Sequence, residues 1–249
     1  MSIVVITQSN WNIPKGLLKF YNKKEIEEVL HSFNQSCSGN YYMLDYHNRK
    51  IIVDPLSSAV LCGYPKEIVE KAGFDFFKQI LNPEEQKWLD QVNTAGYRFL
   101  FDYPKERRKD LVISYDLTVK TVNGIRYPLH HKISPFKFDR NGNMWLGLCH
   151  VTESSLVEMK RKASIADTSL GKKYDFADSE FKLSDTEILT YMEKQILVLM
   201  TKDLTRTQIC KTIGISRTVL DRHSRKIFNK LGVDKVASAV RKAHIEGII

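Results

Sequence analysis

The sequence predicts an α+β chain. An antiparallel sheet with flanking helices is expected across residues 1–152, a connector across 153–184, and an all-α bundle of four short helices across 185–249. Three observations carry this division. Residues 111–122 alternate, with Val112, Ser114, Asp116, Thr118 and Lys120 set against Ile113, Tyr115, Leu117, Val119 and Thr121, and then stop at Asn123-Gly124. Alternation that ends in a hairpin dipeptide marks a strand with one face buried. Thr190-x-x-Glu193 and Thr205-x-x-Gln208 are capping boxes, in which a hydroxyl and a long polar side chain satisfy the first free N–H groups of a helix. Residues 214–233, GISRTVLDRHSRKIFNKLGV, place Leu220, Ser224, Ile227 and Leu231 on one helical seam and Thr218, Asp221, Arg222, Arg225 and Asn229 on a polar side. A helix with one buried seam and one cationic, hydrogen-bonding stripe suits the DNA major groove.

Taken in order, residues 17–33 repeat apolar positions at near-helical spacing among Lys and Glu, as one amphipathic helix or two short ones. Residues 41–46 and 51–53 read as a hairpin around a polar turn. Residues 54–64 follow as a short helix, with Pro55 in its first turn and Gly63 at its end. The charged run at 105–110 is expected to be a solvated loop. After the strand at 111–122, further strands are expected at 125–138 and 144–152, separated by a turn at 139–143. In the connector, Tyr174, Phe176 and Phe181 are spaced like short strands, which suggests a small hairpin.

The order of these features resembles the PAS domain. A strand ending in Asp54, a helix closing in Gly63-Tyr64, then Pro65, Glu67, Ile68 and later Pro83-Glu84-Glu85 are similar to the first half of that family. The resemblance implies that sheet and helices enclose a pocket holding a small molecule, haem, flavin or nothing. No flavin-type reactive cysteine motif and no isolated haem-ligating histidine stands out, so no cofactor is expected and the cofactor-binding residues stay unknown. His130 and His131, like Cys149 and His150, are neighbours in strands and point to opposite faces, so neither pair can easily share a metal.

In the last domain, Ile196, Leu197, Leu199 and Met200 supply the apolar face of a first helix, and Ile209, Cys210 and Ile213 that of a second. Gly214 is the left-handed residue that ends the second helix, and Ser216 caps the third. Asp234 is placed to cap a fourth. Short capped helices with a Gly-containing turn between the middle pair describe a helix-turn-helix.

This segment is similar to the LuxR-type (GerE) DNA-binding domain. The resemblance is carried by Leu189-Thr190, Glu193, Leu197, Ile209, Gly214-Ile215-Ser216, Leu220, His223, Ile227 and Lys230-Leu231-Gly232-Val233. It implies base contacts from Asp221, Arg222 and Arg225. It implies phosphate contacts from Thr205, Arg206, Ser216, Arg217, Thr218, Lys226 and Lys230, and a fourth helix that often mediates dimerisation. Three residues depart from the family pattern: Asp203 replaces a usual Gly, Asp221 a usual Lys or Arg, and Val219 a usual Thr. Asp221 can accept from cytosine N4 or pair with Arg217 or Arg225 along the helix. His223 lies near the seam and reads as a packed residue.

Charge agrees with a polyanionic partner. The chain carries +9 overall, and residues 217–231 set Arg217, Arg222, Arg225, Lys226 and Lys230 against Asp221 alone. Four widely spaced cysteines build no zinc site and fit a reducing compartment. No signal peptide or membrane-spanning run is expected, so the protein is read as cytoplasmic and free of the membrane. No P-loop, nucleophile elbow, kinase signature or metal cluster points to an enzyme. The expected function is sequence-specific transcriptional regulation by a homodimer on double-stranded DNA, with RNA polymerase as a further partner and a small-molecule ligand in the PAS-like domain. In the alternative, that domain only dimerises or docks a protein.

Overall fold

The structure is a computed structural model that describes residues 22–37, 39–54, 56, 61–154, 161–202, 204–245 and 248–249. The chain divides into two compact units. One comprises Met1–Ile165 and Tyr174–Lys182, the other Ala166–Lys173 and Leu183–Ile249.

The first unit begins with α1, Lys23–Ser36, capped by the Asn22 side chain, which accepts from Lys24 N at 3.1 Å. It buries Ile26 and Leu30 against Met43, Ile52, Trp145 and Leu146. The helix therefore runs three residues past the expected end, while residues 17–21 lie outside those described. The hairpin forms as predicted, with β1 (Asn40–Asp45) beside β2 (Lys50–Ile52). Its turn is held by Asp45, whose Oδ1 accepts from His47 N and Asn48 N at 3.0 and 3.1 Å. Of the helix expected at 54–64, only a 3-10 turn at Leu61–Gly63 falls within a described run, and Pro55 lies outside.

Helices α2 (Lys66–Ala72), α3 (Phe76–Ile80) and α4 (Pro83–Asp102) follow. Asn82 caps α4 by accepting from Glu85 N at 2.8 Å, and Pro83 occupies the first turn, where its missing N–H costs nothing. The three long strands are β3 (Leu111–Lys120), β4 (Arg126–Phe138) and β5 (Met144–Glu153). They pair antiparallel with one another, and β5 pairs with β1, aligning Tyr115 with His131 and Tyr42 with Cys149. An antiparallel sheet with flanking helices is the PAS-like arrangement the residue order anticipates.

The 153–184 span contributes three more strands, β6 (Ala163–Asp167), β7 (Lys172–Ala177) and β8 (Glu180–Leu183), which continue the sheet in the order β2-β1-β5-β4-β3-β6-β7-β8. Ser164 Oγ stands 3.2 Å from Ser114 Oγ on β3, and Phe176 and Phe181 pack into the same core as Trp88.

The charged run at 105–110 is not a solvated loop. It is a 3-10 turn, Lys105–Asp110, and Arg108 is buried within it. Arg108 Nε donates to Tyr103 O and its Nη1 to Gly142 O at 3.0 and 2.7 Å, while Nη2 donates to Phe101 O. The end of α4 leaves carbonyls without intrahelical partners, and a guanidinium with five donors satisfies them.

His131 points inward and His130 outward, as alternation requires. His130 Nδ1 meets Asp116 Oδ1 at 3.0 Å. His131 is fully enclosed between the Tyr42 hydroxyl at Nε2 and the Tyr115 hydroxyl at Nδ1, the latter at 2.6 Å. Burial, then the neighbouring His130 and His150, push its pKa from 6.5 down to about 3. Across that window the unfolded chain binds a proton that the native chain refuses, so this residue makes stability fall as pH falls, by about 1.4 kcal/mol per pH unit below 6.5. Urea unfolding at pH 7 and pH 5 should therefore show the natural chain losing about 2 kcal/mol more than His131→Gln. Equal losses would mean that His131 is not held neutral.

Candidate nucleic-acid interface

In the second unit the first three helix starts are as the sequence dictates. Thr190 Oγ1 accepts from Glu193 N at 3.2 Å and Glu193 Oε2 from Thr190 N at 2.9 Å, opening α5, Tyr191–Met200. Thr205 and Gln208 repeat the device at 3.3 and 2.8 Å to open α6, Arg206–Ile213. Gly214, at φ 69° and ψ 34°, takes the left-handed turn that a Cβ would strain. Ser216 Oγ accepts from Val219 N at 3.3 Å and starts α7, Arg217–Leu231. The last helix, α8, is Val236–Ile245. It begins two residues after Asp234, so Lys235 and not Asp234 stands before its first turn. Asp203 lies outside the described residues.

Leu220, Ser224, Ile227 and Leu231 are the buried residues of α7. They pack with Leu189, Ile196, Leu197, Ile209, Ala239 and Ala243, and burial of each large aliphatic side chain contributes about 1.5–3 kcal/mol. Ser224 Oγ donates to Leu220 O at 2.8 Å, so the seam buries no unmatched hydroxyl there. With that seam inward, Thr218, Arg222, Arg225, Lys226 and Asn229 are exposed on the other side.

The remaining predicted contacts divide. Thr205 and Ser216 use their hydroxyls as caps, at the exposed amino-terminal ends of α6 and α7, where free N–H groups attract anions. Arg206 and Arg217 are both engaged by Asp221: Arg206 Nη1 donates to Oδ1, and Arg217 Nε lies 3.5 Å from Oδ2. Of the two readings left open for Asp221, pairing with Arg217 is realised, pairing with Arg225 is not among the ion pairs formed, and Arg206 is a partner the sequence reading missed. No spacing rule could find Arg206, because it belongs to another helix.

Lys230, expected at a phosphate, instead turns its ammonium into the interior, with its side chain only 9% exposed. There it donates to Ile188 O at 2.9 Å and to Glu193 Oε2 at 3.0 Å. Gly171, at φ 69°, completes the enclosure, since a Cβ would stand 2.7 Å from Lys230 Nζ. Burial opposes charge on Glu193, but the Thr190 N–H and Lys230 outweigh it and hold the carboxyl below its ordinary range. Burying a cation and an anion together costs far less than burying either alone, and this explains the placement. His223 sits close by, with Nδ1 3.9 Å from Glu193 Oε1, as a packed residue.

Residues 187–243 match the family model described as bacterial regulatory proteins, luxR family (GerE). This stretch is a LuxR-type DNA-binding domain. Within it, α7 is the helix that follows the Gly214 turn. No curated protein sequence matches the chain. Among solved structures, Vibrio cholerae VqmA without target DNA aligns at 13% identity over 87% of this chain and 86% of that one, with a TM-score of 0.33. The Vibrio cholerae VqmA complex with ligand and DNA aligns at 13% identity over 89% and 87%, with a TM-score of 0.32. A phage VqmA bound to DPO aligns at 14% identity over 66% of this chain and 63% of that one, with a TM-score of 0.23.

The sheet unit encloses a separate cavity of about 70 Å³. Leu44, Phe77, Leu89, Leu100 and Ile133 make it apolar, while Tyr46, Asn93 and Tyr115 bring polar groups to its wall. Burial pushes the Tyr46 and Tyr115 hydroxyls well above their ordinary pKa, so they stay neutral hydrogen-bonding groups. Among the described residues, no cluster of His, Cys, Asp or Glu could hold a metal, and no helix is long and apolar enough to cross a membrane.

Proposed function

We propose that the chain is a transcription regulator that reads duplex DNA with α7, under control of a small molecule held by its sheet domain. The observation that carries the reading is the division of α7 into an apolar seam, fully packed, and an outward stripe on which Arg222 and Arg225 are exposed and, among the described residues, in no ion pair. Arg222, Arg225 and Asn229 have the donors to read base edges. Thr218 and Lys226, with Arg206, Arg217 and the capped helix ends at Thr205 and Ser216, surround them as phosphate contacts. Residues 185–249 act as the DNA-binding part and 1–152 as the sensory part, in a cytoplasmic homodimer that reaches RNA polymerase through its bound DNA.

Selection of duplexes from a random pool by the purified chain tests the first half of this reading. Enrichment of a common sequence, with binding that weakens steeply as salt rises, is expected. Recovery of unrelated sequences would refute selective reading.

A second reading has its own support. The cavity is small beside the several hundred Å³ of ordinary ligand pockets, which favours a sheet domain that only dimerises or docks a protein. Melting the chain with and without p-cresol, a small aromatic with one hydroxyl, separates the two. A ligand bound only by the folded state raises the melting temperature, by about 2.7 kcal/mol of stability at a hundredfold excess over Kd. No rise with p-cresol, toluene or phenol would favour the docking module.

A further inference from the structure

The single acidic residue of α7 holds the first residues of two helices at once. Arg206 opens α6 and Arg217 opens α7, and each takes a different oxygen of Asp221. On the reading that α7 enters the groove, we propose that Asp221 is a positioning residue that clamps Arg206 and Arg217 as two phosphate-facing forks and does not itself read a base.

The geometry assigns the roles. Asp221 turns both oxygens toward the arginines, and its side chain is only 32% exposed, whereas those of Arg206 and Arg217 are 46% and 57% exposed. A guanidinium has five donors; Arg206 spends one N–H on the clamp and Arg217 sets its Nε 3.5 Å from the carboxylate as an ion pair, so each keeps donors to spare. Arg206 retains Nη2, and Arg217 retains both Nη atoms, at helix ends whose free N–H groups already favour a phosphate. Held in place beforehand, each fork loses less side-chain freedom on meeting DNA. The carboxylate also halves the positive charge of the trio, from two to one, and so weakens attraction to DNA of any sequence. Surface ion pairs of this exposure add little stability, so the clamp acts on binding.

The test uses the full chain, a duplex selected from the random pool, and a scrambled duplex, with Kd read by fluorescence anisotropy across a KCl series. Asp221→Ala should keep the base preference of the natural chain at every position. It should tighten the scrambled duplex by about three- to tenfold and steepen the salt dependence by up to about one counterion. In an Arg206→Gln/Arg217→Gln background, where no fork is left to position and only the charge effect remains, the same substitution should tighten both duplexes by at least about twofold more than it does in the natural chain. Loss of preference at one base pair, by about tenfold or more, would make Asp221 a base reader and overturn the clamp. Equal tightening in the two backgrounds would overturn it too, because Asp221 would then act through its charge alone. Absence of selective binding by the natural chain would instead overturn the groove reading on which the clamp rests.

Discussion

Arg222→Ala and Arg225→Ala should each weaken binding to the selected duplex by about tenfold or more at fixed salt, with the loss confined to particular base pairs. Both side chains are exposed on the far side of α7 from its seam, so neither substitution opens the core. Melting temperatures should therefore stay close to that of the natural chain, since surface changes of this kind fall within about 0.5 kcal/mol. Lys226→Ala serves as the contrast. A phosphate contact weakens all sequences alike and lowers the salt slope by about one. Repeating the random-pool selection with each variant checks this directly. If Arg222→Ala and Arg225→Ala leave the enriched sequence unchanged, the outward stripe of α7 is not the reading face.

The largest effect on stability is expected at Lys230. Replacing it by Met leaves Glu193, buried, with the Thr190 N–H but no cation, and such a stranded charge costs about 3–5 kcal/mol. Denaturant unfolding should show that loss as a lower midpoint. The double variant Lys230→Met/Glu193→Gln should regain most of it, because the neutral amide can still serve the capping box and no buried charge is left alone. The pair also sets an acid limit. Glu193 has a depressed pKa, so its contribution is present above its unfolded pKa, near 4.5, and is lost as pH falls through the lower folded value. If Lys230→Met instead keeps its stability and weakens all DNA binding uniformly, the ammonium is a phosphate contact after all.

Legibility in the sequence followed distance along the chain. Thr190 with Glu193, Thr205 with Gln208, and Ser216 with Val219 are three residues apart, and each pair is joined as its spacing implies. Gly214 takes the left-handed turn for the same local reason. Alternation correctly put His130 and His131 on opposite faces, and the structure shows His131 to be the inward one. Charge alone misled at two places. Arg108 lies in a run of charged residues that reads as solvated, yet the carbonyls of Phe101 and Tyr103 at the end of α4 and of Gly142, 34 residues on, enclose it. Lys230 counted toward the cationic stripe, yet its partner Glu193 is 37 residues away.

The sequence by itself determined where the first three helices of the LuxR-type domain begin, which side of α7 is apolar, and which strands alternate. These follow from hydrogen bonds and periodicities that act within a turn or two of backbone. Only the tertiary structure decided that β6 lies beside β3, that a cavity stands behind Tyr115, and that Lys230 turns inward to Glu193. It alone joined Asp221 to Arg206 across two helices. The reason is physical: a buried or paired charge is set by whatever the fold brings within about 4 Å of it, and spacing along the chain carries no record of that meeting.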